Sequence, residues 1–239
     1  MTSAHEADPA AGGTTALLRL DGVHVGYGLP VCPPVSLVVE PGDLVVIVGA
    51  NGTGKSTLLR TVVGLLRPLA GTVEVMGGPV DDRTRRFRSH VAIDLGEEAF
   101  FPTLTVREHL LLTCAGHGVA DPDGVVEAQL DDFGLIERAD ALPAALSSGQ
   151  RRRLLLAAAF ARPRSLMILD EPEQRLDTAM RHRLGEFLID ERDGGGGVLM
   201  ASHDPQLVAR VATTVVAIAE HAVQVLDAAG GADLIRAEQ

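Results

Sequence analysis

The chain has 239 residues, which is enough for one large domain or for a domain with a subdomain. Apolar residues make up 46 % of it and charged residues 22 %, a composition typical of globular proteins. The formal net charge of −11 argues against a general nucleic-acid-binding surface, because a phosphate backbone is bound by Lys and Arg.

The first segment, residues 1–15, is polar and rich in Ala and Gly, so it predicts a disordered leader without a secretory signal. No apolar run reaches the ~20 residues that a membrane span needs, so a function at a membrane would require another chain to supply the span. The two cysteines, Cys32 and Cys114, are far apart in sequence. They favour reduced structural thiols in a cytosolic protein over a disulfide or a metal site.

The N-terminal part alternates strand patterns with turns. Alternating apolar residues predict a strand over Leu17–Gly28, and two further β-rich runs are separated by a turn signal at residues 40–43. The second run, Leu44–Val48, is apolar throughout, as expected for a strand that is covered on both faces. The elements predicted next are a helix from Lys55, a strand over Gly71–Met76, a solvated turn or helix over Asp81–Arg88 and a strand over His90–Leu95.

From about Glu98 to Ala161 helical patterns dominate, and we interpret residues 98–161 as a helical subdomain inserted into a domain of residues 16–239. The remaining predicted elements are a strand over Ser165–Asp170, a helix over Asp177–Asp190, a turn over Asp193–Gly197, a strand in "VLMASHD", a short helix over Pro205–Arg210 and two strands near Val215 and Val223. This alternation of strands and helices predicts a mostly parallel sheet.

The segment "VGANGTGKST", from Val48 to Thr57, fits the phosphate-binding pattern G-x-x-x-x-G-K-[ST]. Its glycines allow backbone N–H groups to bind phosphate oxygens, and the following helix adds its positive dipole end. Lys55 would reach the β- and γ-phosphates, and Ser56 would ligate Mg²⁺. The alternative is an ordinary glycine-rich turn, which the position between a buried strand and an amphipathic helix disfavours.

Two adjacent acids, Asp170 and Glu171, end the apolar strand "LMILD". An Asp that leaves a buried parallel strand faces the ligand crevice, so Asp170 is placed to hold Mg²⁺ through water. Glu171 beside it could accept a proton from the attacking water. The alternative interpretation is a pair of charges at the N-terminus of a helix.

A second candidate anion site lies in "LSSGQRRR", from Leu146 to Arg153, where a Ser-Ser-Gly turn precedes a helix. The simpler interpretation is an N-capped helix with Ser147 as its cap. One nucleotide does not need two phosphate-binding loops, so the second suggests a site for the γ-phosphate held by a partner subunit. Of Arg151–Arg153, most are expected to face solvent.

With these motifs in order, the sequence resembles the ATP-binding cassette ATPases over roughly Leu17 to Asp227. "LSSGQ" is one residue from the family's usual L-S-G-G-Q, and "LMILDEP" is similar to its Walker B strand. "RLD" at Arg175–Asp177 is similar to the D-loop, and "ASHD" contains the switch histidine, His203. The resemblance implies an α/β fold: a P-loop NTPase core with a mostly parallel sheet, an antiparallel β region and an inserted α-helical subdomain.

The resemblance also implies roles for individual residues. Two nucleotide-binding domains would close head to tail, so that ATP on the loop of one meets Ser147 and Gly149 of the other. The implied catalytic residues are Glu171, which polarises water, and His203, which holds the γ-phosphate; Ser56 and Asp170 would bind the metal. The implied nucleotide-binding residues are Tyr27, Gly49, Asn51, Gly52, Gly54, Lys55, Ser56, Thr57, Ser147, Gly149, Gln150 and Asp177.

Two of these implied roles are specific to one position. Tyr27 lies where the family places an aromatic ring under adenine, although it could instead have only a packing role. Asp177 would communicate across the interface between the two domains.

The family's glutamine after the strand near Leu95 is missing, and its position falls on Gly96 or Glu97. One hypothesis is that Glu97 replaces it, with altered Mg²⁺ handling or slower coupling; the other is that the loop points away from the site. The segment that follows, "FFPTLTVREHL", fits the family, and Phe100–His109 would dock a membrane partner.

The leading functional interpretation is an ATP-hydrolysing subunit, with ATP and Mg²⁺, of a bacterial exporter of the multidrug type. Its expected partners are a second nucleotide-binding domain, identical or paralogous, and separate permease subunits, and no nucleic acid. We expect it on the cytoplasmic face of the cell membrane. Import is disfavoured because no regulatory C-terminal domain is expected. The alternatives are a cassette with weak hydrolysis that acts as a switch, and a cassette acting on nucleic acid or ribosomes, which the charge disfavours.

Overall fold

The structure is a computed structural model that describes residues 16–96 and 99–238. Residues 1–15 and Glu97 lie outside these ranges, so what the sequence predicts for them stays a prediction. The strands are β1 (Leu18–His24), β2 (Val35–Val39), β3 (Leu44–Val48), β4 (Ala70–Val75), β5 (Gly78–Pro79), β6 (Val91–Asp94), β7 (Leu166–Asp170), β8 (Gly197–Ala201), β9 (Thr214–Ile218) and β10 (Val223–Leu226). The helices are α1 (Lys55–Val62), α2 (Arg85–His90), α3 (Val106–His117), α4 (Pro122–Asp132), α5 (Ser148–Phe160), α6 (Thr178–Asp193), α7 (Pro205–Val211) and α8 (Ala228–Glu238), with 3₁₀ turns at Ile136–Arg138 and Pro143–Ala145.

The strands form two sheets, a four-stranded one in the order β2-β1-β4-β5 and a six-stranded one in the order β10-β9-β3-β8-β7-β6. The smaller sheet is antiparallel. In the larger sheet the strands from β9 to β6 are parallel, and β10 is antiparallel to β9. The predicted fold class is therefore confirmed: a mostly parallel sheet, an antiparallel region, and helices α3–α5 between β6 and β7.

Strand β3 shows why the central strands have no polar positions. Leu44, Val46 and Val48 contribute to the core layer that the sheet shares with α3–α7. Val45 and Ile47 contribute to the opposite layer, which includes α1 and the antiparallel sheet. Because successive side chains of a strand point to opposite faces, a strand covered on both sides must be apolar at every position.

Three aromatic rings join the helical insertion to the core. The rings of Phe133, at the end of α4, Phe160, in α5, and Phe187, in α6, have centroids 5.2 to 5.7 Å apart. In a protein with only 3 % aromatic residues, this cluster attaches α4 and α5 to a helix of the α/β core. Within residues 16–96 and 99–238, no helix has the length and hydropathy needed to cross a bilayer.

The sequence analysis placed no helix after the strand near Val223, and the structure corrects this with α8. Two adjacent glycines, Gly230 and Gly231, weaken its helical signal, since each Gly costs about 1 kcal/mol relative to Ala. The helix is held by packing instead: Ala232 and Ile235 are buried, and a Cβ on Gly231 would lie 2.6 Å from Val215 Cγ1 of β9.

The parallel sheet positions the candidate site. The carboxyl ends of β3, β8, β7 and β6 lie at one edge, where ligands bind in open α/β sheets. The loop Gly49–Gly54 follows β3, Ser202 follows β8, Asp170 ends β7, and Leu95 follows β6.

Candidate active site

The loop between β3 and α1 needs glycine for two different steric reasons. Gly49 has φ 145°, and a Cβ there would lie 2.2 Å from the carbonyl oxygen of Ile218 on β9. Gly54 has φ 94°, and a Cβ there would lie 2.8 Å from Val31 Cγ2. Larger residues would therefore move the loop away from β9 or from the β1–β2 connection, and the N–H groups at the start of α1 would be displaced.

Lys55 opens α1 and lies inside this loop, only 5 % exposed. Its Nζ donates to the carbonyl oxygens of Gly49 at 2.7 Å and Ala50 at 3.0 Å. Burial lowers the pKa of Lys55, while the carboxylates of Glu171 and Asp170 act in the opposite direction. The ammonium is thus held between the loop and the two acids at the carboxyl end of β7.

Asp170 has the properties of a ligand for a hard cation. Burial raises its pKa, and a hydrogen bond from the Ser56 side chain lowers it. Its buried Oδ1 has no hydrogen-bond partner among the described residues. In the described ranges no group of three or more His, Cys, Asp or Glu side chains could hold a metal. A Ser hydroxyl with one carboxylate fits Mg²⁺, which is usually bound by one or two carboxylates together with substrate phosphates and water.

Glu171 and His203 meet across the ends of β7 and β8. Glu171 Oε1 lies 3.2 Å from His203 Nε2. The Glu171 backbone has φ 46°, an uncommon conformation for a residue with a side chain, and its N–H donates to the Ala201 carbonyl at 3.0 Å. Both side chains line a cleft of about 1030 Å³ that also includes Ala50 and Asn51 of the glycine loop.

Tyr27 lies in the connection between β1 and β2 and is 67 % exposed. A short bridge between Gly26 and Pro30 shapes this connection, and Val31 packs against Gly54 at the start of α1. The structure therefore brings the connection, but not a buried Tyr27 ring, to the glycine loop. A packing role for Tyr27 is disfavoured by its exposure.

The N-terminus of α5 forms the cap that the simpler interpretation of "LSSGQ" predicts. Ser147 Oγ accepts a hydrogen bond from the Gln150 N–H at 3.2 Å, and Gln150 Oε1 accepts one from the Ser147 N–H at 3.0 Å. Both side chains are used in this capping box. The turn is nevertheless exposed at Ser147 and Ser148, so the helix N-terminus is presented at the surface.

The start of α5 is connected to Asp177, and not to the glycine loop of the same chain. Arg153 Nη2 lies 2.8 Å from Asp177 Oδ2, and a Cβ on Gly149 would lie 3.0 Å from the Arg175 carbonyl oxygen. Asp177 Oδ1 also caps α6 by accepting from the Met180 N–H at 2.8 Å. The predicted site residues thus form two groups, one around Lys55 and Glu171 and the other around Ser147 and Asp177.

The expectation that most of Arg151–Arg153 face solvent is wrong for Arg152, whose side chain is 4 % exposed. Its Nη1 lies 2.8 Å from Asp94 Oδ2, also buried, and its Nη2 donates to the carbonyl oxygens of Asp170 at 3.2 Å and Glu171 at 3.1 Å. Arg152 precedes the buried Leu156 by one helical turn, and this spacing could have revealed its inward position.

Of the two candidate positions for the family's missing glutamine, Gly96 lies within the described residues and Glu97 does not. Gly96 has φ 74°, and its N–H donates to Asp94 Oδ1 at 3.1 Å. Asp94 therefore contacts both Arg152 and the start of the loop after β6. Glu97 lies outside the described residues, and its role stays a prediction.

Comparison with known proteins identifies the family. A sequence model of the family described as ABC transporter matches residues 32–174. The chain belongs to the ABC transporter family. The matching relatives and the solved structure are ATP-binding subunits or proteins, and this chain is likewise an ATP-binding subunit of an ABC transporter and an ATPase.

Its relatives differ in the transport direction that their names give. The cytochrome c biogenesis ATP-binding export protein CcmA of Bordetella bronchiseptica is 41 % identical over 172 residues, 71 % of this chain and 76 % of that protein. The zinc import ATP-binding protein ZnuC of Marinobacter nauticus is 36 % identical over 210 residues, 87 % of this chain and 76 % of that protein. A solved ATP-binding subunit of an ABC transporter superposes with a TM-score of 0.82 at 26 % identity, covering 93 % of this ABC ATPase and 98 % of that chain.

Proposed function

We propose that this ABC ATPase closes head to tail with a second nucleotide-binding domain, identical or paralogous, and drives export through separate permease subunits. In this proposal residues 16–239 form the ATPase domain, residues 98–161 are its helical subdomain, and residues 1–15 are a leader. The chain acts at the cytoplasmic face of the membrane, where its permease partner holds it. The observation that carries the proposal is the division of the predicted site residues into two groups within one chain.

The first group would bind the nucleotide. Backbone N–H groups of Gly49–Thr57 surround the phosphates, and Lys55 donates to the β- and γ-phosphates instead of its present carbonyl partners. Ser56 and Asp170 would hold Mg²⁺, whose charge neutralises that of the phosphate oxygens. Tyr27 would stack on the adenine ring, which its exposure permits.

Hydrolysis would depend on the pair at the ends of β7 and β8. Glu171 accepts a proton from the attacking water, and His203, 3.2 Å from it, contacts the γ-phosphate and orients the water. Arg152 supports this turn from behind by donating to the carbonyl oxygens of Asp170 and Glu171. In this proposal Glu171 and His203 are already in contact before the two domains close, and closure adds the nucleotide and the opposite subunit.

The second group would complete the site of the opposite subunit. The exposed N-terminus of α5, at Ser147–Gly149, carries the positive end of the helix dipole and can receive a γ-phosphate. Its connection to Asp177 through Arg153 keeps it beside the segment that would cross the interface. Gln150 would contact the same phosphate after leaving its capping contact with Ser147.

Mixing two inactive variants tests whether the site is shared. Lys55→Ala removes the phosphate-binding ammonium, and Ser148→Glu adds a negative charge at the exposed start of α5, where an acidic residue is compatible with the helix dipole. Each variant alone is expected to lose ATPase activity. A mixture regains it, because a heterodimer combines the intact Lys55 of one chain with the intact α5 terminus of the other.

The measured quantity is the ATPase rate of equimolar mixtures, with Ser148→Gln as the neutral control for the second variant. About a quarter of the parent's rate is expected for random mixing of chains with independent sites. A mixture as inactive as both variants would show that each site is built within one chain, and would contradict head-to-tail closure.

Export is supported by the name of the relative at 41 % identity, which is an export protein, and by the sequence of the segment after β6, "FFPTLTVREHL", which is similar to that of bacterial exporters. Phe101 is exposed beside Phe100 and the buried His109, and both rings lie 5.7 Å from the imidazole. We assign Phe100–His109 to docking of the permease. The transported substrate is read by that permease.

The tagged chain, purified from detergent-solubilised membranes, is expected to retain a multi-span membrane protein. Vesicles containing both, with the ATPase outside, should take up the permease's substrate when ATP is added, because the cytoplasmic face is then exposed to the medium. Loss of preloaded substrate from such vesicles would indicate import. Phe101→Asp, which puts a charge on the exposed docking ring, should abolish the co-purification, whereas the exposed Val225→Asp on β10 should not.

A further inference from the structure

Glu173 is a third acid close to the end of β7, and it is almost fully buried in the wall of the cleft that Glu171 also lines. Only 5 % of Glu173 is exposed. Its Oε1 accepts hydrogen bonds from Ser202 Oγ at 2.7 Å and from the His203 N–H at 3.0 Å. One oxygen therefore joins the turn that carries Glu171 to the segment that carries His203.

The segment around His203 is held on its other side as well. Ser202 Oγ, besides donating to Glu173, accepts from the Asp204 N–H at 3.1 Å. Asp204 Oδ1 then caps α7 by accepting from the N–H groups of Gln206 and Leu207. The Ser202 N–H donates to the Ile47 carbonyl of β3 at 3.2 Å. The backbone around His203 is thus fixed to β3 and α7, and Glu173 adds a side-chain link from His203 itself to the turn that carries Glu171.

We propose that Glu173 is a positioning residue that holds His203 against Glu171 through its hydrogen bonds to Ser202 and the His203 backbone. The proposal rests on the roles proposed above for Glu171 and His203, because Oε1 of Glu173 is occupied by two donors of the protein and its Oε2 is buried. Without Glu173, residues 202–203 lose their two hydrogen bonds to the turn after β7. Among the described residues the backbone pairing at Ala201 still connects the two strand ends, but the 3.2 Å contact between Glu171 and His203 is less firmly held.

The hydrogen-bond pattern requires an acceptor at this position and does not require a charge. Both groups that contact Oε1 are donors, and the buried Oε2 has no partner among the described residues. Burial raises the pKa of Glu173, the Glu171 carboxylate raises it further, and the hydrogen bonds from Ser202 and the backbone oppose this. Glutamine offers the same acceptor oxygen in the same shape, so Glu173→Gln is the conservative variant.

The test compares kcat for ATP hydrolysis with the Kd for a fluorescent ATP analogue in the full-length chain. Glu173→Leu removes the acceptor and is expected to lower kcat about 10- to 100-fold, the effect of losing buried hydrogen bonds that act on the reacting geometry. Its nucleotide affinity is expected to stay at the parent's value, because the glycine loop is untouched. Glu173→Gln is expected to recover most of the lost kcat.

The matched control is Glu191→Leu. Glu191 is a largely buried carboxylate whose side chain is 12 % exposed and is paired with Arg164 at 2.6 Å, but it lies near the amino end of β8, away from the cleft. Its loss lowers stability without touching His203, so the folded Glu191→Leu protein should keep the parent's kcat. A fall in kcat as large as that of Glu173→Leu would mean that stability alone explains the effect, and would overturn the proposal.

Pairing the variant with His203→Ala identifies the route of the effect. If Glu173 acts through His203, the double variant Glu173→Leu/His203→Ala has the kcat of His203→Ala alone. Losses that multiply would overturn the proposal, and so would an unchanged kcat in Glu173→Leu. Ser202→Ala removes one of the two hydrogen bonds to Glu173 and replaces Glu173→Leu in the test if that variant does not fold. It should lower kcat in the parent background and have no further effect in the His203→Ala background.

Failure of the proposed function gives a different result. If His203→Ala alone keeps the parent's kcat, the role proposed for His203 is wrong, and any loss in Glu173→Leu then has another origin. If His203→Ala loses activity while Glu173→Leu does not, His203 keeps its role and only the inference about Glu173 fails.

Discussion

A Glu171→Gln variant is expected to hydrolyse ATP about 10²- to 10⁴-fold more slowly than the parent, because an amide cannot accept the proton of the attacking water. The substitution changes little else. Glutamine has the same length and the same Cβ, so the unusual backbone conformation at φ 46° is no more strained than before. The amide oxygen can still contact His203 Nε2, which keeps the cleft in place.

Steady-state hydrolysis measures the loss of catalysis, and gel filtration with ATP measures the dimer that the variant should form. The variant should bind ATP and elute as a dimer, because closure is no longer followed by hydrolysis. Glu220→Gln, at an acid between β9 and β10 whose side chain is 87 % exposed, should behave as the parent. More than about a tenth of the parent's kcat in Glu171→Gln would exclude it as the general base. A variant that stays monomeric with ATP would count against closure by the isolated subunit.

An Arg152→Met variant is expected to lower the free energy of unfolding by about 3–5 kcal/mol, the cost of leaving one member of a buried ion pair without its partner. Methionine has a similar length and no charge. Among the residues that the structure describes, the Asp94 carboxylate would keep only the Gly96 N–H as a donor, and the carbonyl oxygens of Asp170 and Glu171 would lose the Arg152 donor.

Urea denaturation of four variants separates the contribution of the buried ion pair from those of its two side chains. Asp94→Asn alone should also destabilise the protein, because it leaves the buried guanidinium without a counter-charge. The double variant Arg152→Met/Asp94→Asn should be more stable than the sum of the two single losses predicts. Arg236→Met breaks an ion pair whose side chains are 53 % and 76 % exposed, and should cost less than about 1 kcal/mol. A similarly small cost for Arg152→Met would contradict the importance of the buried pair.

The fold was predictable where each element carries its own local signal. Leu44–Val48 is apolar at every position, which requires cover on both faces, and the glycine loop and the acid after "LMIL" then follow from the direction of parallel strands. Helix α8 was not predictable in this way. Its glycines oppose helix formation, and contact with β9 and α7 compensates for them only in the folded protein.

The candidate site was predictable as a set of chemical groups, but not in all of its contacts. The cap at Ser147 was predicted, and helical spacing indicates that Arg152 faces inward. The pattern cannot show that Arg152 pairs with Asp94, because that contact depends on the distance from α5 to a residue far away in the sequence. The assigned roles of the site residues stay predictions for the variants above to test.

From the sequence alone follow the family, the P-loop fold, the position of Lys55 and Ser56 at the start of a helix, and that of Asp170, Glu171 and His203 at or just after the ends of buried strands. The different surroundings of Asp170, Glu171 and Glu173, three acids at and just after the end of β7, are known only from the folded protein. Asp170 faces Ser56, Glu171 contacts His203, and Glu173 is buried with the Ser202 hydroxyl and the His203 N–H as donors. The physical reason is that burial and hydrogen bonding depend on neighbours supplied by other strands, which no local pattern of residues encodes.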